Sequence, residues 1–249
     1  MGIESLNAIE ITHGVATFIY VIFSILIGIR FLTKYVSLKR KELITVGLAW
    51  IFLSSAWWGS SFSFLSIVLF NQPIQGFIFF FIANAFIPVA VVCWIYSFLK
   101  IIYPDLIKIG TILILVLSIA YEIILLYFLF QPESTYPLYI GEIKETFYYQ
   151  PSLLTMLFQV LALLVSAITG FIFSIKSMKS DEPVVKWKGR FLLIAFSAFT
   201  IGSLFDALIT LDQITIVIVR VILLISSIAY YLGFLLPDQL AEMLREVRK

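Results

Sequence analysis

Residues 202–227 read GSLFDALITLDQITIVIVRVILLISS, two apolar arms on either side of Asp212–Gln213 with one charge in each arm. Asp206 stands about seven residues before that turn and Arg220 about seven after it, so at ~1.5 Å rise per residue both lie roughly 10 Å from the same end of a helical hairpin. A lone charge in hydrocarbon costs ~2.5–3.5 kcal/mol on insertion scales. Equal depth on neighbouring antiparallel helices therefore predicts a buried Asp206–Arg220 ion pair, and a hairpin of membrane helices to hold it. Ala198, Gly202 and Asp206 follow a four-residue ladder, which turns Asp206 to the close-packing face of its helix.

The rest of the chain fits that reading. Of 249 residues, 61% are hydrophobic and 13% charged; the mean hydropathy is +1.06. A soluble domain would be about half apolar and a quarter charged. Apolar runs recur at the length of a membrane span. Helices are predicted over 9–33, 43–70, 76–100, 108–130, 151–175, 190–211 and 214–236, an all-α bundle of seven transmembrane helices. Pro237 and Asp238 open a short amphipathic tail, with Leu240, Met243, Leu244 and Val247 on one face. No soluble domain is left over. The single cysteine, Cys93, excludes an intrachain disulfide.

Lysine and arginine set the orientation. Lys34, Lys39, Arg40 and Lys41 follow the first helix. Lys100 and Lys108 flank the turn after the third. Lys176, Lys179, Lys186, Lys188 and Arg190 follow the fifth, and Arg245, Arg248 and Lys249 lie in the tail. Lys144 is alone on the other side, beside Glu133, Glu142 and Glu145. The positive-inside rule predicts an external N-terminus and a cytoplasmic C-terminus. The long external segment 131–150 is read either as a β-hairpin lid around Gly141–Glu142 or as an aromatic interfacial cap.

Buried polar residues then locate a candidate site. Asn84, Glu122, Gln159, Asp206 and Arg220 all fall about 9–13 Å below the outer surface at ~1.5 Å per residue. The inner half holds only Ser, Thr, Cys, Tyr and Trp, which does not suit an ion or proton pathway across the whole membrane. Two readings of the polar layer stay open, a pocket closed below by an apolar plug or a network that only locks helix packing. The expected ligand-binding residues are Asp206, Arg220, Glu122, Asn84 and Gln159, with Trp57 and Trp58 near the middle of the second helix and Tyr121 beside Glu122. Pro88 should kink the third helix and free carbonyls there. Glu10 and His13 make a Glu-x-x-His step, half of a di-iron motif, but His13 is the only histidine. A structural or interfacial role is expected for it.

Several activities fail on inventory. No His-rich or Cys-rich cluster exists for zinc or haem, and no Gly-rich phosphate loop precedes a helix. His13 is at the wrong edge of its helix to serve Ser60 or Ser61 as a base. The last helix has no lysine for a retinal Schiff base, and an arginine stays protonated. No enzymatic activity, metal, cofactor or nucleic-acid partner is expected.

Trp50, Trp57, the aromatic run 77–81, Pro88, Trp94 and Phe98 before Tyr103–Pro104 resemble the N-terminal seven-helix sensor region of prokaryotic histidine kinases. The resemblance covers residues 50–104, where a proline-bearing helix follows a tryptophan-bearing one. It implies a receptor-like sensor in the cell membrane, N-terminus out and C-terminus in. The departure is that this chain ends at Lys249, where such proteins continue into signalling domains. Output would then pass from the basic inner loops and tail to a separate cytoplasmic partner. The alternatives are a small-solute transporter working at the Asp206–Arg220 layer and a structural membrane protein with no ligand.

Overall fold

The computed structural model describes residues 2–208 and 212–246. Among them, seven helices are long and apolar enough to cross a membrane: α1 (Ala8–Leu38), α2 (Glu42–Phe70), α3 (Gly76–Ile102), α4 (Pro104–Leu129), α5 (Leu153–Met178), α6 (Pro183–Ala207) and α7 (Gln213–Phe234). A short helix, α8 (Asp238–Glu246), follows. This is the expected all-α bundle. The end of the sixth predicted helix at 209–211, Val247 of the tail face, and the basic residues 248 and 249 lie outside the described residues.

The helices begin and end for local reasons. Asn7 caps α1 by accepting from the Glu10 backbone N–H, while the Glu10 carboxylate accepts from the Asn7 N–H at 2.8 Å, a reciprocal capping box. Asp212 caps α7 through the Thr215 N–H at 2.7 Å. Helix α6 starts at Pro183 rather than at 190, so Lys186, Lys188 and Arg190 are helical and not part of a loop. Proline suits a first helical position, where its missing N–H has no partner to lose. Long cationic side chains can ride on a helix by laying their stems along apolar surface, and the Arg190 guanidinium sits 4.4 Å from the centre of the Trp187 ring. Pro88 acts as expected: α3 is interrupted at Ala85–Phe86, where the proline has no N–H to offer the Asn84 carbonyl. Helix α2 tightens to a 3-10 turn over Ser54–Trp57, which changes the angular phase of everything beyond it.

Packing closes α1, α2, α3, α5, α6 and α7 into a ring, α7 returning against α1, with α4 laid outside against α3. Small residues set the close approaches. A Cβ added to Gly170 of α5 would stand 2.3 Å from the Phe196 ring of α6, and one on Gly202 of α6 would stand 2.8 Å from Leu223 of α7. The ring interior near the basic loops is filled with aromatic side chains. Trp50 stacks on Tyr230 at 4.1 Å, and Trp94 packs on Phe196 at 4.9 Å. All four are essentially without solvent exposure.

The other end of the ring is covered by residues 131–152. After a helical turn at Tyr136–Tyr139, strands β1 (Gly141–Lys144) and β2 (Tyr148–Pro151) pair antiparallel, Ile143 opposite Tyr149. The β-hairpin reading of this segment is thus the one realised. Gly141 permits it: its φ is +153°, and a Cβ there would meet the Gln150 carbonyl at 2.6 Å.

Candidate functional site

Arg220 is the centre of the polar layer. It is 1% exposed in α7, and its guanidinium reaches three side chains on two other helices. Nη1 donates to Asp206 Oδ1 of α6 at 2.8 Å. Nε donates to Thr17 Oγ1 of α1 at 3.0 Å. Nη2 lies 3.3 Å from His13 Nε2. Arginine has only donors, so Nε2 must offer its lone pair there, which puts the imidazole proton on Nδ1. The Trp57 indole N–H of α2 donates to the second Asp206 oxygen at 2.6 Å. Asp206 thus accepts from two sides, and the ion pair read from the hairpin is present.

Arg220, Asp206, His13 and Trp57 stand on the wall of a cavity of about 680 Å³ rather than in a sealed core, with Thr17 behind them. Helices α1, α2, α3, α5, α6 and α7 and the hairpin all contribute to it, with Glu10, His13, Trp57, Gln159, Asp206 and Arg220 among its polar or aromatic lining. The Asp206 side chain keeps 17% exposure, against 2% for that of Arg220. Ser203, one turn before Asp206, lines the same cavity, and its buried hydroxyl has no partner among the described residues.

The hairpin is latched over this space at three points. Phe147 at its tip, 2% exposed, stacks on His13 with ring centres 5.7 Å apart and planes 8° off parallel. Thr146 donates to the Glu10 carboxylate. Tyr149 reaches inward to donate to Asn84 Oδ1 at 3.1 Å, and Gln159 Nε2 donates to the same oxygen at 3.2 Å. The Asn84 amide also donates to the Phe80 carbonyl at 2.9 Å, in the helical turn just before the break in α3. Burial pushes the Tyr149 hydroxyl up to about 12, its hydrogen-bond partners opposing the shift.

The residues singled out from the sequence therefore divide. Asp206, Arg220, Gln159 and Trp57 line one cavity. Asn84 stands behind it, holding Gln159 and Tyr149. Trp58 turns the other way, donating to Ser54 Oγ at 3.1 Å and packing on Phe86. Tyr121 stacks on Phe158 at 3.8 Å, away from the cavity lining, and Glu122 on the outlying α4 does not line it either. Four contributors were not assigned to the site from the sequence: Glu10, His13, Thr17 and the hairpin tip. A signal for the first three exists. Glu10, His13, Thr17, Tyr20 and Ser24 recur at alternating three- and four-residue steps, a polar stripe on one face of an otherwise apolar helix.

The layer keeps spare hydrogen-bonding capacity. Three of five guanidinium N–H groups are directed at Asp206, Thr17 and His13, and each carboxylate oxygen of Asp206 keeps a lone pair. Among the described residues, no group of three or more His, Cys, Asp or Glu side chains gathers to hold a metal ion. Comparison with protein-family models and with curated proteins finds no match for this chain.

Proposed function

We propose that this chain is a seven-transmembrane, receptor-like sensor of the cell membrane, with its N-terminus and hairpin outside and its C-terminus in the cytoplasm. The cavity under the hairpin takes a ligand, and occupancy is passed to a separate cytoplasmic partner through the basic loops and the tail. The orientation rests on the excess of Lys and Arg in the loops opposite the hairpin. The likeness of residues 50–104 to the sensor region of histidine kinases favours the same class.

The observation that carries the reading is the position of the ion pair. A pair that merely locks helices has no reason to face space, yet Asp206 and Arg220 stand on the wall of a 680 Å³ cavity, within the size range of small-molecule sites. The elements that a ligand would displace are tied to several helices: Arg220 to α1 and α6, Asp206 to α2, and the hairpin to α1 and α3. A ligand that competes for any of these bonds shifts the balance between two ring arrangements.

Transport is the less supported function. Between the cavity and the basic loops the ring interior is filled by Trp50, Trp94, Phe196 and Tyr230, with only hydroxyl and indole groups beside them. The test is a small-molecule screen on purified protein in detergent, read as thermal stabilisation. Compounds that stabilise the wild type and not Arg220→Met support the pocket. Counter-screening the same compounds for flux in proteoliposomes checks the class, since accumulation would overturn the sensor reading in favour of a carrier.

A further inference from the structure

We infer that the cavity is entered sideways, from the lipid between α5 and α6, and that it takes an uncharged, hydroxyl-bearing amphiphile with a single hydrocarbon chain, a monoacylglycerol in its simplest form. This rests on the pocket reading above and names its ligand class.

The first observation is the wall between α5 and α6. These antiparallel helices touch closely near the basic loops, at Gly170 with Phe196 and at Gly189 with Ser174 and Met178. Continuing that register toward the hairpin brings Leu163 opposite Ser203 and Val160 opposite Asp206. All four line the cavity, so the seam between the two helices forms part of its wall there. Three apolar members of that wall are also widely exposed: Met156 at 42%, Val160 at 42% and Leu204 at 39%. Beside them stand Leu157, Leu161 and Phe205, exposed side chains of the bundle's outer face. The cavity's apolar lining is therefore next to the surface that a bilayer would cover, the place where a hydrocarbon chain stays in an apolar medium while its head moves inward.

The second observation is the cover opposite. The hairpin is held by Phe147 on His13, Thr146 on Glu10 and Tyr149 on Asn84. Entry past it requires breaking these anchors, whereas Met156, Val160 and Leu204 on the α5–α6 side have apolar side chains with no such bond to break.

The third is the charge balance at the head position. Arg220 is already matched by Asp206 at 2.8 Å, and the other charged residues of the lining, Glu10, Lys144 and Glu145, stand at the hairpin, so a charged headgroup beside Ser203 would meet no free counter-charge there. An uncharged head with hydroxyls meets what the site leaves open: the unpartnered Ser203 hydroxyl, the remaining lone pairs of Asp206 and the amide of Gln159.

The experiment uses the full chain in nanodiscs and a 1-monoacylglycerol carrying a diazirine in mid-chain, with cross-linked residues mapped by mass spectrometry. Labelling should concentrate on Met156, Val160 and Leu204 and be competed by unlabelled monoacylglycerol but not by glycerol. Val160→Trp, at an exposed position that tolerates bulk, should lower it about tenfold, a 1.4 kcal/mol change. Ile112→Trp on the exposed face of α4 should leave it unchanged. Labelling spread over α4, or unaffected by Val160→Trp, would overturn lateral entry. Stronger competition by the anionic lysophosphatidic acid would overturn the uncharged head. If water-soluble screening compounds stabilise wild type and Val160→Trp alike, the pocket stands and the amphiphile inference falls. If neither soluble nor lipid probes distinguish wild type from Arg220→Met, the receptor reading falls with it.

Discussion

Removing Asp206 should damage this protein more than removing Arg220, although the two form one ion pair. Asp206→Ala leaves a guanidinium that is 1% exposed with no anionic partner within salt-bridge distance among the described residues. Arginine cannot shed its proton to escape. Breaking a buried pair from one side costs ~3–5 kcal/mol in soluble proteins, and the Trp57 N–H loses its acceptor as well. Arg220→Met keeps most of the stem's volume and leaves a carboxylate that retains the Trp57 bond, has 17% exposure and can take up water or a proton. Its cost should be that of an unmade hydrogen bond, ~1–3 kcal/mol. Asp206→Ala combined with Arg220→Met removes both charges, so the double variant should be more stable than the sum of the two losses implies, by ~0.5–3 kcal/mol of coupling. The assay is thermal stability in one detergent for wild type, both single variants and the double variant. Additive losses would refute the coupling. A larger loss for Arg220→Met than for Asp206→Ala would refute the argument that an unprotonatable cation is the costlier orphan.

Accessibility labelling of cysteines placed at 39–41 should succeed from the cytoplasm and at 133–145 from outside; the reverse pattern would invert the orientation and put the cavity on the other face. Gly141→Val should unpair the hairpin, because the new side chain meets the Gln150 carbonyl at a φ of +153°, and limited proteolysis should then cut within 141–151 much faster than in wild type. The Tyr149 hydroxyl is raised to about 12 by burial against an ordinary value of 10.0. Its contribution to stability is therefore full below pH 10 and declines as the pH rises from 10 towards 12, since the unfolded chain loses that proton first. The wild type should lose part of its stability advantage over Tyr149→Phe across that window, and a constant difference between them would show that the hydroxyl is not buried as described.

Helix number, helix type and the matching of Asp206 with Arg220 along their hairpin were legible in the sequence. These are one-dimensional quantities: apolar run length, lysine and arginine spacing, and rise per residue follow from chain position alone. That is why Asp206 and Arg220 could be matched by counting from Asp212–Gln213, and why Pro88 marked the break in α3. Depth does not say which way a side chain points or which helices are neighbours. Residue counting puts Glu122 in the same layer, but α4 packs outside the ring, so it does not line the cavity; Trp58 follows Trp57 directly, yet the 3-10 turn at Ser54–Trp57 and helical geometry send the two indoles to different partners. His13 and Thr17 join the site because α1 closes the ring against α7, a pairing between residues some two hundred positions apart. The hairpin's latch on His13 and Asn84 likewise depends on where a loop lands. Such lateral and rotational choices are settled by how small residues such as Gly170 and Gly202 let helices approach and how aromatic side chains fill what remains, and those are properties of the packed bundle rather than of any one segment.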